Sequence, residues 1–483
     1  MLRTSFAHLH ARPLASRLAI AVYGSLLLTI STPSKAAQSL DVWSHQRELQ
    51  AAWAHSAVSG AQDAPFAPYG QPSPHSIMGT TGNPDGWRTP EFNADWGLGA
   101  MGAEYAYARG LTGKGVRLAL LDNGSALAHP EFAGRNTSSI TIGPNCASPG
   151  TVRGAGACRQ TRGDQPAYDY YAFSSNLTAQ QIRFLRSRRV VEGFRYADHG
   201  THVLGTIGAS RNGKGMHGVA FGADLTAVRL FGDTYHEWKR KGAAYLPEPL
   251  ERTDPDDAAM LDMYAQLQAQ GVRAINHSWG LPTKSKTAAE LDTQYKTVQS
   301  KFAVFASIYD STSAESGSKL IQVWSNGNGR GVYAGVTASL PRWKPKIEPY
   351  WLAVANVRQP DSAKGETDYV IDQSSSICGA AARWCISAPG TAINSTIVYG
   401  DILGRLDRTA TYTRFFVDKE DPKYGYGDKR GTSMAAPHVT GALGLLFERF
   451  PYLTNAQVRD VLLTTARDLG APGVDEIYGW GMV

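Results

Sequence analysis

The sequence predicts an α/β fold with a mainly parallel sheet and helices on both of its faces. Three observations support this prediction: nearly continuous apolar runs of strand length, amphipathic stretches of helix length, and the alternation of the two within a single block. Continuous apolar runs are typical of parallel strands that are buried on both faces. Their alternation with helices is typical of a sheet covered on two sides.

The predicted elements follow one another along most of the chain. Strands are predicted at residues 115–121, 225–230, 272–277, 321–324 and 351–355. Helices are predicted at residues 101–109, 256–270, 286–306 and 455–467, with two glycine-studded helices that begin near His199 and Ser433. We expect the long polar segments 134–196, 231–255 and 396–430 to be surface insertions.

The first 36 residues have the pattern of a secretory signal peptide, with four basic residues, no acidic residue, an apolar core at 18–30 and a small-residue exit. We expect cleavage after Ala36. A membrane anchor is the alternative, but the 13 residues of the core fall short of the roughly 20 that span a bilayer. Removing the four leader charges reduces the net charge from +6 to +2, which argues against nucleic acid as a partner.

The remaining chain divides by composition into two parts. Residues 37–91 contain one amphipathic stretch at 40–58, followed by a segment rich in glycine and proline, and are predicted to form an N-terminal arm and linker. Residues 92–483 are predicted to form the globular domain. The four cysteines occur as two close pairs, Cys146/Cys158 and Cys378/Cys385; export favours two short disulfide loops, although three pairings are open.

Ser433 is the first candidate functional residue. It lies in the segment Gly431-Thr-Ser-Met-Ala-Ala-Pro-His, at the start of a predicted buried helix whose backbone N–H groups favour negative charge. Pro437 lacks the N–H that would bond the Ser433 carbonyl, so we expect the turn at the serine to be slightly open. A serine hydroxyl is a weak nucleophile alone, and the hypothesis therefore requires a base and a group that orients the base.

Asp122 and His199 are the candidates for these two roles. Asp122 ends the predicted strand at 115–121, where open α/β sheets bind ligands. His199 lies at the mouth of a predicted helix in the segment His199-Gly-Thr-His-Val-Leu-Gly-Thr. The alternatives are a turn or capping aspartate and, for His199 with His202, a metal site, which lacks a nearby acidic or cysteine ligand. We interpret His202 as a hydrogen-bonded structural histidine.

Together, Asp122-Asn-Gly and the segments around His199 and Ser433 resemble the three signature blocks of the subtilisin-like serine proteases, in that family's Asp, His, Ser order. The resemblance implies a three-layer αβα domain in which Ser433 attacks a peptide carbonyl, His199 moves the proton and Asp122 orients the imidazole. It also implies that Asn328 supplies the side-chain oxyanion donor, with Asn326 as its competitor.

The resemblance extends to substrate binding. Ser278-Trp279-Gly280 is similar to the family's edge that pairs with an extended substrate backbone, so the expected partners are proteins or peptides in extended conformation. No cofactor is needed for such chemistry. Bound calcium is common in these proteases, but no Asp-rich ligand loop is recognisable.

A narrower resemblance is to the subtilase passenger domains of Gram-negative autotransporters, carried by residues 95–115 and by His129-Pro-Glu-Phe. It implies a secreted or surface-exposed endopeptidase that matures other surface proteins. Such proteins continue into a C-terminal transmembrane β-barrel, so the outer membrane is an expected partner only of a longer chain, and a truncated domain is one expectation. The alternative functions are a surface adhesin or scaffold on the same fold, and an ester hydrolase, which would place the histidine last.

Overall fold

A large, mainly parallel sheet organises the fold. The computed structural model describes residues 81–142, 161–187, 193–241, 244–252, 257–302, 320–400 and 422–483, which belong to one compact unit. The predicted leader at 1–36, the amphipathic stretch at 40–58 and the Cys146/Cys158 pair lie outside the described residues.

The described strands are β1 (Arg117–Asp122), β2 (Thr137–Ile142), β3 (Thr161–Arg162), β4 (Tyr168–Phe173), β5 (Gly193–Tyr196), β6 (Asp224–Arg229), β7 (Thr234–Lys241), β8 (Ala244–Arg252), β9 (Val272–His277), β10 (Ile321–Ser325), β11 (Trp351–Arg358), β12 (Val370–Ile371), β13 (Cys385–Pro389), β14 (Ile393–Gly400) and β15 (Pro422–Lys429). The described α-helices are α1 (Pro90–Asn93), α2 (Trp96–Ala100), α3 (Ala103–Tyr107), α4 (Ala179–Ser187), α5 (His199–Gly208), α6 (Asp257–Ala269), α7 (Ala288–Val298), α8 (Thr432–Arg449) and α9 (Asn455–Thr464). Short 3₁₀ helices cover Asp85–Trp87, Pro130–Phe132, Gln299–Phe302, Leu340–Arg342, Pro345–Tyr350, Ser362–Lys364 and Gly379–Trp384.

The main sheet has the strand order β12-β11-β10-β9-β1-β6-β2-β3, with β13 also paired to β11. The pairs β2/β6, β6/β1, β1/β9, β9/β10, β10/β11 and β11/β13 are parallel. Only the outer pairs β11/β12 and β2/β3 of this sheet are antiparallel. The predicted mainly parallel sheet is therefore confirmed.

Helices cover both faces of this sheet, as β1 illustrates. Leu118 and Leu120 pack in one core cluster with residues of α5, α8 and α9, whereas Ala119 and Leu121 pack in a second cluster with Met263 and other residues of α6. Successive side chains of a strand point to opposite faces of the sheet. The continuous apolar run of β1 therefore packs into the core on each face. The arrangement is the three-layer αβα fold that the sequence predicts.

The segment 134–196 differs from its prediction as a surface insertion. It contributes β2, whose partner β6 lies inside the main sheet, and Ile140 and Ile142 of β2 are buried. The sequence Thr-Ser-Ser-Ile-Thr-Ile is mostly polar, and no strand is predicted there. Beyond β3, the segment contributes β4, β5 and α4, which lie outside the main sheet.

The other two predicted insertions also contain strands. Segment 231–255 forms β7 and β8, which extend the sheet of β5 and β4 in the order β5-β4-β7-β8. Segment 396–430 includes most of the antiparallel pair β14/β15, and Thr396 Oγ1 of β14 donates to the carbonyl oxygen of Thr201 in α5 at 2.8 Å. β15 ends directly before the helix that carries Ser433, so this pair connects α5 with the start of α8.

Residues before position 92 also pack on the domain. Trp87 is buried, with its ring 5.5 Å from that of Tyr107, and α1 begins at Pro90 behind a Thr89 cap. The division into leader, arm and domain stays a prediction. In the part of the chain that the structure describes, no helix combines the length and apolar character needed to cross a bilayer.

Candidate active site

The carboxyl end of β1 and the first residue of α5 bring Asp122 and His199 together. His199 Nδ1 lies 2.9 Å from Asp122 Oδ1 and 3.0 Å from Oδ2. Asp122 is 3% exposed and also accepts a hydrogen bond from the backbone N–H of Asn123 at 2.8 Å. A carboxylate accepts hydrogen bonds, so Nδ1 carries the proton, and Nε2 remains available as a base.

The surroundings of His199 favour its charged form. Partial burial acts to lower the pKa of His199, but the negative charge of Asp122 and its hydrogen bond outweigh burial, and the pKa is raised. Lys429 acts to lower this pKa and Asp198 to raise it; these two residues form an ion pair, with Lys429 Nζ 3.0 Å from Asp198 Oδ1. Asp198 directly precedes His199 in sequence, whereas only the fold brings Lys429 to this position.

Ser433, the second residue of α8, is held by Ser278. Pro437 leaves the Ser433 carbonyl without its helical N–H donor, and Ser278 Oγ donates to this carbonyl at 2.7 Å. Ser433 Oγ in turn donates to the carbonyl oxygen of Ser278 at 3.1 Å. Ser278 follows β9, the parallel neighbour of β1, and therefore lies at the same sheet edge as Asp122.

The structure thus joins two of the three predicted catalytic residues directly. Asp122 and His199 are hydrogen-bonded, while among the described residues the only hydrogen bond of the Ser433 hydroxyl is the one to Ser278. The contact between Ser433 and His199 stays a prediction. This contact requires Ser433 Oγ to leave the carbonyl oxygen of Ser278 and to donate to His199 Nε2 instead.

Asn328 and Asn326 have different surroundings. Asn328 Oδ1 accepts hydrogen bonds from the backbone N–H of Thr432 at 2.9 Å and from its hydroxyl at 3.1 Å. Its Nδ2 has no hydrogen-bond partner among the residues that the structure describes, and Asn328 is exposed. Asn326 is 1% exposed, and its Nδ2 lies 3.3 Å from the sulfur of Cys385. Of the two, only Asn328 has a free donor beside Ser433.

A cleft next to Ser433 has a volume of about 350 Å³ and includes Ser278, Trp279, Gly280 and Asn328 in its lining. Trp279 Nε1 donates to the carbonyl oxygen of Leu121 at 2.9 Å, so the predicted substrate-binding segment is attached to the end of β1. The cleft contains the predicted oxyanion residue and the predicted substrate edge on one surface.

His202 has a structural environment. Its Nε2 lies 3.0 Å from the carbonyl oxygen of Ile393 and 3.1 Å from that of Gly427, and burial lowers the pKa of His202 to about 3. Two carbonyl oxygens require Nε2 to be the donor, so this nitrogen is not free to bind a metal. Within the described ranges, no group of three or more His, Cys, Asp or Glu side chains is arranged to hold a metal ion.

The second cysteine pair forms a disulfide. Cys378 and Cys385 are joined, both are fully buried, and Asn326 Nδ2 approaches both sulfur atoms. The bond therefore lies beneath the loop that carries Asn328. The first pair, Cys146 and Cys158, stays a prediction.

Comparison with known proteins gives a consistent result. A family model described as "Subtilase family" matches residues 113–481. The chain is 31% identical over 441 residues to an "Extracellular serine protease" of Serratia marcescens, covering 84% of this chain and 34% of that protein. It is 26% identical over 411 residues to the "Neisserial autotransporter lipoprotein NalP" of Neisseria meningitidis serogroup B, covering 78% of this chain and 33% of that protein. The chain thus spans about a third of the length of these relatives.

Among solved structures, the chain is similar to fervidolysin from Fervidobacterium pennivorans, described as a keratinolytic enzyme related to subtilisin. The TM-score is 0.48 and the sequence identity 22%, with 83% of this chain and 48% of that chain covered.

Proposed function

Because the chain belongs to the subtilase family, we propose that it is an exported serine-type endopeptidase that hydrolyses peptide bonds through Asp122, His199 and Ser433. The observation that carries this proposal is the hydrogen bond of 2.9 Å from His199 Nδ1 to Asp122. This bond leaves Nε2 as the nitrogen that accepts a proton, which is what a serine nucleophile requires.

In the proposed mechanism, Ser433 Oγ first leaves the carbonyl of Ser278 and donates to His199 Nε2. As Oγ bonds to the scissile carbonyl carbon, its proton passes to Nε2, and the carbonyl oxygen becomes an oxyanion. The Asn328 Nδ2 and Ser433 backbone N–H groups stabilise this charge. Collapse of the tetrahedral intermediate breaks the C–N bond, the leaving amine takes the proton from Nε2, and water then hydrolyses the acyl-enzyme by the same steps.

The substrate is proposed to bind in extended form along Ser278, Trp279 and Gly280, with its side chain in the cleft. Two features support this proposal: these residues line the cleft beside Ser433, and their segment continues from the carboxyl end of β9, beyond its pairing with β1 and β10. Main-chain pairing at a sheet edge provides affinity with little sequence preference, which suits an endopeptidase.

Export to the cell surface or the medium is also proposed. The leader pattern of residues 1–36 and the names of two relatives, an extracellular protease and an autotransporter lipoprotein, support it. Maturation of other surface proteins is the finer proposal. Comparing, by mass spectrometry, the surface proteins released by cells that produce the wild-type chain or Ser433→Ala would test it.

The test of the enzyme itself is labelling with a fluorophosphonate probe, which reacts only with an activated serine. We expect labelling of the wild type and of Ser362→Ala, whose serine is exposed and outside the cleft, and no labelling of Ser433→Ala. Circular dichroism would establish that each variant is folded. A folded wild-type chain that neither labels nor hydrolyses casein would favour the alternative function, a surface adhesin or scaffold.

A further inference from the structure

A second cavity shares Asn328 with the substrate cleft. It has a volume of about 530 Å³, opens to solvent, and is lined by Asn328, Arg330, Gln373, Ser374 and Arg430. We name it the arginine pocket. Asn328 is the residue common to both cavities, so a substrate whose carbonyl oxygen lies at Asn328 is within reach of the two.

The two cavities differ in charge. The residues that line the substrate cleft include no Lys, Arg, Asp or Glu. The arginine pocket is lined by two arginines and no acidic residue. The positive charge of Arg430 is compensated by Asp372. Arg430 Nη2 lies 2.6 Å from Oδ1 of Asp372, whose side chain is fully buried.

The charge of Arg330 is not offset in this way. Arg330 is exposed, and it forms no hydrogen bond or ion pair with any residue in the described part of the chain. An arginine guanidinium presents a planar fork of N–H donors that matches a carboxylate in geometry and in charge. The arginine pocket therefore has one uncompensated positive group and favours an anionic side chain.

The arginine pocket lies near the position expected for the leaving group of the substrate. Lys429, at the end of β15, pairs with Asp198, the residue before His199. Arg430 comes next, followed by Gly431 and the helix of Ser433, so this segment runs from the histidine to the serine. The leaving amine takes its proton from His199. The residues that follow the scissile bond must therefore begin on the side of Ser433 that faces His199, where the segment with Arg430 lies.

We propose that the arginine pocket binds the carboxylate of an aspartate or glutamate located just after the scissile bond, so that this chain prefers substrates with an acidic leaving side. The proposal rests on the proposed peptidase function. The uncharged cleft accepts the residue on the acyl side, and Arg330 selects for charge on the other side.

Binding to the Ser433→Ala variant tests the proposal without requiring turnover. The probes are fluorescent peptides that differ only in having Glu, Gln or Lys at one central position, and anisotropy gives the dissociation constants. An ion pair at an exposed site predicts that the Glu peptide binds about threefold to fivefold more tightly than the Gln peptide, and the Lys peptide less tightly than both. The preference should weaken in about 0.5 M salt, which screens exposed charges.

Two further variants in the Ser433→Ala background complete the experiment. Arg330→Gln should bind the Glu and Gln peptides equally, while Arg330→Lys keeps part of the preference. Arg109→Gln is the matched control, because Arg109 is exposed and lines neither cavity, and it should keep the whole preference. Equal binding of the Glu and Gln peptides to the parent, or a preference that survives Arg330→Gln, would overturn the proposal. Hydrolysis of the same peptides by the wild type is measured separately, so failure of the peptidase function is recognised on its own.

Discussion

At the scale of single residues, Pro437 accounts for the local geometry of Ser433. A proline at this position of α8 removes the N–H that would bond the Ser433 carbonyl, and Ser278 Oγ takes its place at 2.7 Å. Ser278 Oγ also accepts a hydrogen bond from Asn276 Nδ2 at 2.9 Å, so its donor is directed to the carbonyl. The missing helical N–H at Pro437 and a hydroxyl from the segment after β9 together position the candidate nucleophile.

The first prediction concerns this contact. Ser278→Ala leaves the buried Ser433 carbonyl without a donor, and we expect a loss of about 1–3 kcal/mol in the free energy of unfolding. Urea denaturation would measure it. Pro437→Ala restores the N–H of residue 437, so Ser278→Ala should cost less in the Pro437→Ala background than in the wild type. Equal costs in the two backgrounds would mean that Ser278 does not compensate for the proline.

The second prediction concerns the pH dependence of activity. Catalysis requires neutral His199, and the raised pKa of His199 places the acid limb of kcat/KM above pH 6.5, the ordinary value for histidine. The imidazolium pair with Asp122 stabilises the folded chain below pH 6.5, and this contribution is lost as the pH rises through the raised pKa. Activity should therefore increase over the range in which this contribution to stability decreases.

Asp122→Asn removes the charge that raises the pKa, while burial continues to lower it. The acid limb should move to lower pH. Turnover should decrease by a factor on the order of 10⁴, because the asparagine amide can donate to Nδ1 and favour the tautomer whose proton is on Nε2. A pH–rate profile on a peptide substrate measures both effects. An unchanged acid limb would show that another group controls it.

At the scale of elements, a buried hydrogen bond joins the N-cap of α2 to α8. His438 Nε2 lies 3.1 Å from Asp95 Oδ2, and Nδ1 lies 2.9 Å from the carbonyl oxygen of Met434. An oxygen atom therefore lies within hydrogen-bond distance of each ring nitrogen. Gly97 lies so close that a Cβ there would be 2.3 Å from His438 Nε2. The N-terminal helices are therefore fitted against the helix that carries Ser433.

The third prediction is that this pair stabilises the domain. Asp95→Ala leaves His438 Nε2 buried without its hydrogen-bond partner and should lower the free energy of unfolding by about 1–3 kcal/mol. Asp85→Ala, at an exposed position of the same N-terminal region, should change it by less than about 0.5 kcal/mol. Thermal and urea denaturation measure both, and similar values for the two variants would contradict a stabilising role of the pair.

At the scale of the whole molecule, burial strongly lowers the pKa of three of the described histidines. Burial lowers the pKa of His202 to about 3, that of His217 to about 4 and that of His277 to about 3. These residues lie in α5, in the loop before β6 and at the end of β9. Unfolding exposes all three, so each takes up a proton below about pH 6.5 only when the chain unfolds.

The fourth prediction follows from the sign of these shifts. A lowered pKa in the folded state means that stability decreases as the pH falls from 6.5 towards 4. Each histidine contributes about 1.4 kcal/mol per pH unit, or about 4 kcal/mol per unit for the three. Urea denaturation at several pH values measures this slope. His277→Gln should reduce it by about 1.4 kcal/mol per pH unit. An unchanged slope would show that His277 does not contribute.

Whether a strand is predictable from the sequence depends on the side chains that it buries. The strand predicted at 272–277 has the bounds of β9, and the one at 225–230 differs from β6 by one residue at each end. Both contain neighbouring apolar residues that pack into the two opposite cores, Ala274 and Ile275 in β9 and Ala227 and Val228 in β6. β2 was missed because four of its six residues are polar, although its partner β6 lies inside the main sheet. β15 was missed because glycine and charged residues dominate it.

By itself, the sequence determined the order of the three signature blocks, the central strands and the missing helical hydrogen bond at Pro437. These features depend on composition and on neighbours along the chain. Only the tertiary structure decided that Ser278 holds Ser433 across 155 positions, that Asn328 rather than Asn326 has a free donor, and that Arg330 and Arg430 line one pocket. Hydrogen-bond partners and charge neighbours are set by the register of parallel strands and by the loops at their carboxyl ends. Such contacts join residues that are remote in sequence, and local patterns do not specify them.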